Sequence, residues 1–132
     1  MKVRFIVIGK PTSEYRVLIQ EYEKRLPKYA RFEVFEVKDE KDVEAKLKSV
    51  IVVLDSRGKS LSSESLAAYL KPQEEVSFVI GGDIGLSEAF KKKANLLLSF
   101  GQITLPHQLA RLVLTEQVYR AFTILKGEPY HK

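Results

Sequence analysis

The chain has 132 residues and a mass of 15.1 kDa, with 45% hydrophobic and 30% charged residues, values that predict one folded domain over residues 1–132. It has no cysteine and two histidines, which excludes disulfides, thiolate zinc sites and a cysteine nucleophile, and we expect no metal. The 22 lysines and arginines exceed the 17 aspartates and glutamates, and the formal net charge of +5 favours a polyanionic partner without requiring one.

The apolar segments of the chain are short. The amino-terminal run MKVRFIVIGK is too short and too β-branched for a signal peptide, and no segment approaches the length that spans a bilayer. We therefore expect a cytoplasmic protein without a membrane partner.

The predicted elements alternate between strand and helix. In chain order they are a strand at 3–8, a helix capped by Thr12 or Ser13 that ends before Pro27, a strand at 31–37, a short charged helix at 42–47, a strand at 50–54, a helix at 62–70, a strand at 76–80, a helix that begins after Ser87, a strand at 96–100 and a long helix at 106–125. This alternation predicts a three-layer α/β domain with a mostly parallel sheet. Ligands in such folds bind at the carboxyl ends of strands, here Leu54 with Asp55, Gly81 with Gly82, and residues 100–105.

The glycines of the candidate ligand turns come late in the chain. The turn after the first strand reads IGKPTS and lacks GxGxxG, so a dinucleotide fold and the commonest methyltransferase fold are disfavoured. Gly81, Gly82 and Gly85 follow the fourth strand in VIGGDIGLS, where missing side chains let a ligand approach the backbone. An ordinary tight turn before a helix is the alternative interpretation.

The segment SFGQITLPHQLAR leads from the fifth strand into the last helix. Its backbone from Gly101 to Leu105 has no obvious ladder partners before Pro106 starts the helix, and unpaired backbone groups suit an adenine edge. An ordinary connection between strand and helix is equally compatible with this pattern.

The last helix is apolar on two opposite sides. One side carries Leu114, Val118, Phe122 and Leu125, and the other carries Leu109, Leu112, Val113 and Tyr119. A helix in the outer layer normally has a polar, solvent-exposed face, so the second apolar side predicts a homodimer, with core packing alone as the alternative.

Polar side chains lie on the same helix and in the tail. Glu116 and Arg120 form an i,i+4 pair within the second apolar side, and His107 with Arg111 lies beside the proposed ligand segment. The alternative role for Glu116 and Arg120 is to hold the interface together, and the alternative role for His107 is structural hydrogen bonding.

The carboxyl-terminal tail ends in residues that suit RNA. Tyr130 suits stacking on a base, His131 suits hydrogen bonding to a base edge, and Lys132 suits phosphate, whereas a frayed tail is the alternative. The run Lys91 to Lys93 is interpreted as a solvated helix face, with contact to RNA backbone as the alternative.

Four motifs taken together resemble one known family. They are LDSRGK at 54–59, FVIGGDIGLS at 78–87, ITLPHQLARLVLTEQVYRAF at 103–122 and PYHK at 129–132. On these residues the chain resembles, from its first strand to its last residue, the SPOUT-superfamily 23S ribosomal RNA pseudouridine N3-methyltransferases, the ribosomal RNA large subunit methyltransferase H family.

The resemblance implies S-adenosylmethionine as methyl donor, a deep trefoil knot in the carboxyl-terminal part of the chain, and an obligate homodimer. The implied donor-binding residues are Leu54, Gly81, Phe100, Gly101, Gln102, Ile103, Thr104 and Leu105. The implied catalytic set, in which the tail of one subunit completes the site of the other, is His107, Arg111, Glu116, Arg120, Tyr130 and His131.

The reaction implied by the resemblance is direct methyl transfer to N3 of a pseudouridine in assembled ribosomes or large subunits. His131, or a water beside it, is the candidate acceptor of the N3 proton, and Arg111 or Arg120 is the candidate to stabilise charge on the neighbouring carbonyl oxygens. Two positions depart from the family pattern, Asp83 in GGDIG and Lys132. Lysine at position 132 cannot form the bidentate hydrogen bonds to phosphate that arginine forms.

Two other classes of protein remain as alternatives. A non-catalytic RNA-binding dimer of the same fold is the first, and it would not bind the methyl donor. A small flavodoxin-like or receiver-type module is the second, but IGKPTS supplies neither its phosphate loop nor its acidic cluster.

Overall fold

The computed structural model describes residues 1–131, without the His131 side chain. Its strands are β1 (Lys2–Ile8), β2 (Arg31–Val37), β3 (Val50–Ser60), β4 (Glu75–Ile80) and β5 (Leu96–Ser99). Its α-helices are α1 (Ser13–Glu23), α2 (Glu40–Glu44), α3 (Ser63–Leu70), α4 (Glu88–Lys91) and α5 (His107–Leu125), with 3₁₀ turns at Leu26–Lys28 and Pro129–His131.

The strands form one sheet in the order β2-β1-β4-β3-β5, and every neighbouring pair is parallel. Side chains alternate across the sheet, so Phe5 and Phe78 pack on one face while Ile6 and Val79 pack on the other. The first face is covered by α3 and α5, with α1 packed on α5, and the second is covered by α2 and α4. The predicted three-layer α/β fold with a parallel sheet is confirmed, whereas the trefoil knot stays a prediction.

The helix boundaries differ from the predicted ones at two places. The first helix begins at Ser13 with Thr12 as its cap residue, in agreement with the prediction, but it ends at Glu23 and not just before Pro27, and the segment around Pro27 forms a separate 3₁₀ turn. The charged helix predicted at 42–47 instead spans Glu40–Glu44, because Asp39 caps it by accepting a hydrogen bond from the Asp42 N–H at 3.0 Å.

Strand β3 extends six residues beyond the predicted end at Leu54. Leu98 of β5 is opposite both Leu54 and Lys59, so β3 bulges over the intervening residues and then pairs with β5 again. Gly58 allows β3 to approach β5 again after the bulge, because a Cβ at this position would lie 2.5 Å from the Leu97 carbonyl oxygen. The polar residues DSRGKS at 55–60 show no alternation of apolar and polar side chains, so the sequence alone did not predict this extension.

Helix α5 is buried or half-buried along its whole length. Its fully buried side faces the sheet through Leu114, Val118 and Phe122. Half-buried residues form a continuous outward stripe on it, here called the α5 stripe: Leu109, Leu112, Val113, Glu116 and Arg120. Within the described residues no helix, α5 included, is long and apolar enough to cross a membrane.

Candidate functional site

A cavity of about 680 Å³ opens at the carboxyl ends of β3, β4 and β5. Parallel sheets bind ligands at this edge because the strand ends and the following loops converge there. Six of the eight predicted donor-binding residues line it: Leu54, Gly81, Phe100, Ile103, Thr104 and Leu105.

The other two predicted donor-binding residues lie outside this cavity. Gly101 lines a second cavity of about 350 Å³, which shares Phe100 with the first. Gln102 is exposed and lines neither cavity. Of the predicted segment from Phe100 to Leu105, four residues therefore line the main cavity, and their contact with a donor stays a prediction.

The glycine turn after β4 forms one wall of the cavity. A Cβ on Gly81 would lie 3.1 Å from Cγ of Leu86, so a larger residue would press on the wall behind it. Ser87 then caps α4 by accepting a hydrogen bond from the Phe90 N–H at 3.1 Å. Its hydroxyl also donates to Oε2 of Glu40 at 2.9 Å, which attaches the turn to α2.

The opposite wall is built from a turn that leaves backbone groups free. Ser99 is buried, and its hydroxyl accepts from the Gly101 N–H at 3.1 Å and donates to the Gly101 carbonyl at 2.6 Å. Between this turn and α5, the backbone N–H and C=O groups of residues 102–105 make no hydrogen bond with any described residue. Residues 102–104 are exposed and Leu105 is half-buried, so these backbone groups are open to water or to a ligand.

Charged side chains also line the cavity. Asp55 and Lys91 lie in its wall with Nζ to Oδ2 at 3.5 Å, and their side chains are 9% and 14% exposed. The interpretation of Lys91 as a solvated residue is therefore wrong, whereas Lys92 and Lys93 are exposed. A three-lysine run has no helical periodicity that would single out one inward position.

His107 lies at the start of α5 and lines the cavity. Its Nδ1 is 2.7 Å from Oδ1 of Asp83, which joins the helix start to the glycine turn. The neighbouring Gln108 accepts a hydrogen bond from the Thr12 N–H at 2.6 Å, so the loop after β1 is attached at the same place. Asp83, which departs from the family pattern, therefore contacts His107 at the mouth of the cavity.

Arg111 is placed differently from the other predicted site residues. It is buried, does not line the cavity, and its guanidinium lies 2.6 Å from Oε2 of Glu36 and 3.1 Å from Oε2 of Glu23. Burial raises the pKa of the Glu36 carboxyl, but hydrogen bonds from Arg111 and Arg16 outweigh it, so the net pKa is lowered. These contacts join α5, β2 and α1.

Three further predicted residues form a group here called the Tyr130 cluster: Glu116, Arg120 and Tyr130. Oε2 of Glu116 lies 2.7 Å from Nη2 of Arg120 and accepts a hydrogen bond from the Tyr130 hydroxyl at 2.8 Å. The Arg120 guanidinium also lies over the Tyr130 ring at 5.1 Å. Burial, and then the hydrogen bond to Glu116, raise the pKa of Tyr130 above its ordinary range.

The cavity and the Tyr130 cluster are apart within one chain. His107 and Glu116 are nine residues apart on one helix, a rise of roughly 13 Å at 1.5 Å per residue. The side chain of His131 and the whole of Lys132 lie outside the described residues, so their predicted contacts with a base and a phosphate stay predictions. Among the residues that are described, no group of three or more histidine, aspartate or glutamate side chains is placed to hold a metal ion.

Comparison with protein families and curated proteins gives full-length matches. A family model described as "Predicted SPOUT methyltransferase" matches residues 1–131. Proteins named ribosomal RNA large subunit methyltransferase H from Listeria monocytogenes and Pediococcus pentosaceus are 45% and 41% identical, with 100% of both chains covered. These alignments run over 159 positions, so the relatives hold residues that have no counterpart among the 132 of this chain.

Solved structures with low sequence identity share the fold. A probable methylase family protein from Haemophilus influenzae has a TM-score of 0.66 at 13% identity, covering 98% of this chain and 70% of its own. A putative methyltransferase from Legionella pneumophila, solved with bound S-adenosylmethionine, has a TM-score of 0.55 at 13% identity, covering 95% of this chain and 66% of its own. At these identities the similarity establishes the fold alone.

Proposed function

The chain belongs to the SPOUT methyltransferase family, among relatives named ribosomal RNA large subunit methyltransferase H, and we propose that it methylates large-subunit ribosomal RNA with S-adenosylmethionine as donor. The finer proposal is transfer to N3 of a pseudouridine in 23S rRNA, on assembled ribosomes or large subunits. A protein with this substrate acts in the cytoplasm.

The cavity fits the proposed donor. Its volume of about 680 Å³ falls within the roughly 300–1,000 Å³ range of small-molecule sites. The unpaired backbone groups of residues 103–105 offer donors and acceptors to an adenine edge, and Gly81 lets a ligand approach the backbone of the facing wall. These backbone groups are the observation on which the proposal most depends. When bound, S-adenosylmethionine supplies a methyl group on a sulfonium, which is already activated for transfer.

The remaining steps require positioning and charge stabilisation by the protein. A bond forms between N3 and the methyl carbon as the sulfur–methyl bond breaks, and the N3 proton passes to His131 or a water beside it. Arg111 is held by Glu36 and Glu23, so we assign it the role of positioning α5. Arg120, which lies beside Tyr130, is the arginine that we assign to the developing charge on the base carbonyls.

A second copy of the chain would bring the two halves of the site together. The α5 stripe is half-buried and largely apolar in one chain, and Leu18 of α1 is 52% exposed nearby. Leu18 lies one turn before Tyr22, whose ring is 6.2 Å from that of Tyr119 on α5. Pairing through this surface would let the tail and Tyr130 cluster of one chain face the cavity of the other.

Labelled methyl transfer tests this function. The chain is incubated with labelled S-adenosylmethionine and ribosomes, isolated large subunits or naked 23S rRNA, each from cells that lack the modification. We expect label on N3 of a pseudouridine, located by nucleoside mapping, in the particles and little in naked RNA. Label on another nucleoside would overturn the N3 assignment, and efficient labelling of naked RNA would overturn the particle requirement.

Calorimetry distinguishes the enzyme from a non-catalytic RNA-binding dimer. Titration of S-adenosylmethionine into the chain gives saturable heat if the cavity binds the donor. The absence of any heat, together with binding of ribosomal RNA, would support the non-catalytic alternative.

A further inference from the structure

Asp55 and Lys91 form an oppositely charged pair inside the wall of the large cavity. Asp55 belongs to the bulged part of β3 and Lys91 ends α4, so the two side chains meet from different elements. Their side chains are 9% and 14% exposed, and both line the cavity. They are the least exposed acidic and basic side chains among the described residues that line it.

The hydrogen-bonding capacity of this pair is largely unused. Oδ1 of Asp55 accepts from the Arg57 N–H at 3.2 Å, whereas Oδ2 has Lys91 Nζ at 3.5 Å as its nearest charged partner. Lys91 Nζ has a second acceptor, Oε1 of Glu88, also at 3.5 Å. A mostly buried ion pair recovers its desolvation cost through short, well-directed bonds, and neither contact is short. The pair is therefore suited to a ligand that supplies both charges.

We infer that Asp55 and Lys91 bind the amino-acid end of S-adenosylmethionine, with Lys91 on the α-carboxylate and Asp55 on the α-ammonium group. This inference rests on the proposed function, since it concerns the donor of that reaction. A zwitterion inserted between the two side chains would replace one long contact by two charge-assisted hydrogen bonds. It would also leave the unpaired backbone of residues 103–105 for the adenine end of the same ligand.

The other charged residues of the cavity fit this role less well. The Arg57 side chain is 73% exposed and lies 2.8 Å from Oε1 of Glu88. The Asp83 side chain is 86% exposed and lies 2.7 Å from Nδ1 of His107. Both pairs are at the solvent side, where water screens charge and weakens its contribution to binding.

Four ligands that differ in which charged groups they carry test the two contacts separately. S-adenosylmethionine carries the ammonium, the carboxylate and the sulfonium, and S-adenosylhomocysteine lacks the sulfonium. Decarboxylated S-adenosylmethionine lacks the carboxylate, and methylthioadenosine lacks all three charges. Each is titrated by calorimetry into the full chain and into Lys91→Met and Asp55→Asn.

Lys91→Met should weaken binding of S-adenosylmethionine and S-adenosylhomocysteine by about tenfold or more, as expected for a lost charged hydrogen bond. Binding of decarboxylated S-adenosylmethionine and methylthioadenosine should stay within about twofold, since neither offers a carboxylate to the lysine. Equal weakening of all four ligands, or of none, would overturn the assignment of Lys91. Lys92→Met is the matched control, because it removes the same charge from an exposed neighbouring position.

Asp55→Asn should weaken the three ligands that carry an ammonium group and leave methylthioadenosine unchanged. Weakening of S-adenosylmethionine and its decarboxylated form, with S-adenosylhomocysteine unaffected, would mean that Asp55 recognises the sulfonium and would overturn the ammonium assignment. Thermal melting of each variant identifies loss of folding. If the unsubstituted chain bound all four ligands and the variants did not discriminate, this inference alone would fail; if it bound none, the proposed function would fail as well.

Discussion

Tyr130 donates a hydrogen bond of 2.8 Å to Oε2 of Glu116, which attaches the carboxyl-terminal turn to the middle of α5. The Tyr130 ring also packs against Tyr119, at 4.7 Å between centroids. Tyr130 is therefore held against α5, the helix whose first residue lines the cavity. Residues 131 and 132 follow directly, so the tail is anchored just before the residues proposed to meet RNA.

Replacing Glu116 by Gln should lower the pKa of Tyr130 part of the way toward its ordinary range. Burial is the larger cause of the raised pKa and remains in the variant, whereas the negative charge that opposes tyrosinate formation is removed. Alkaline titration of tyrosinate absorbance measures this, with the Tyr130→Phe spectrum subtracted in each background. An unchanged titration curve would show that Glu116 does not influence the phenol.

Glu36→Gln should destabilise the fold at neutral pH by about 2 kcal/mol, because it removes one of the two carboxylates that balance the buried Arg111. The folded-state pKa of Glu36 lies below its ordinary value of 4.5. Its contribution is therefore present above that value and is lost as the pH falls through the folded-state pKa.

Urea unfolding of the Glu36→Gln variant, followed by circular dichroism, measures this difference at neutral pH and well below pH 4.5. The difference in the free energy of unfolding between the variant and the unsubstituted chain should become smaller at the acidic pH. Glu74→Gln is the control, because Glu74 is exposed and forms no ion pair with any residue in the range 1–131. A difference in unfolding free energy that stays constant with pH would contradict the role given to the carboxylate charge.

Leu18→Glu should weaken self-association of the chain. Leu18 is 52% exposed on α1, the helix that packs against α5, and in the proposed dimer a carboxylate there would be desolvated by the second copy. Sedimentation equilibrium should give twice the 15.1 kDa chain mass for the unsubstituted protein and a dissociation constant raised by about tenfold or more for the variant. Gln20→Glu adds the same charge on the opposite side of α1 and should leave the mass unchanged. A 15.1 kDa species for the unsubstituted chain would contradict the homodimer.

The strands were predictable because each carries a run of β-branched, aromatic or aliphatic residues, continuous in the first part of β3 and interrupted by glutamates in β2. Residues 31–37 match β2, and the predicted strand at 76–80 falls one residue short of β4. The second half of β3 was not predictable, because its pairing depends on the contact between Gly58 and the Leu97 carbonyl. A contact between residues this far apart in sequence leaves no local pattern.

The same distinction applies to the candidate site. Gly81 and residues 103–105, which line the cavity, could be proposed from the sequence because turn glycines and backbone without ladder partners have local signatures. Arg111 was grouped with the site because it lies one turn from His107, and its actual partners Glu23 and Glu36 come from other elements. Asp55 was recognised at a strand end, but its approach to Lys91 depends on how α4 packs.

Two variants that are inactive alone should restore activity when combined, if each site takes its parts from two chains. Gly81→Leu disrupts the wall of the cavity, since even a Cβ at this position lies 3.1 Å from Cγ of Leu86, which lines the same cavity. Arg120→Ala leaves the cavity intact and removes the arginine of the Tyr130 cluster. We expect each variant alone to lose methyl transfer by at least about a hundredfold.

Co-expression of the two variants produces mixed dimers in which the cavity of one chain faces the intact cluster of the other. Random pairing makes about half of the dimers mixed, each with one complete site, so about a quarter of the unsubstituted activity should return. Pairing Gly81→Leu with a chain that carries both substitutions is the control, because no intact cavity is then present. If the cavity and the cluster of the same chain formed the site, the mixture would be as inactive as its components, and the shared site would be wrong even if the protein were dimeric.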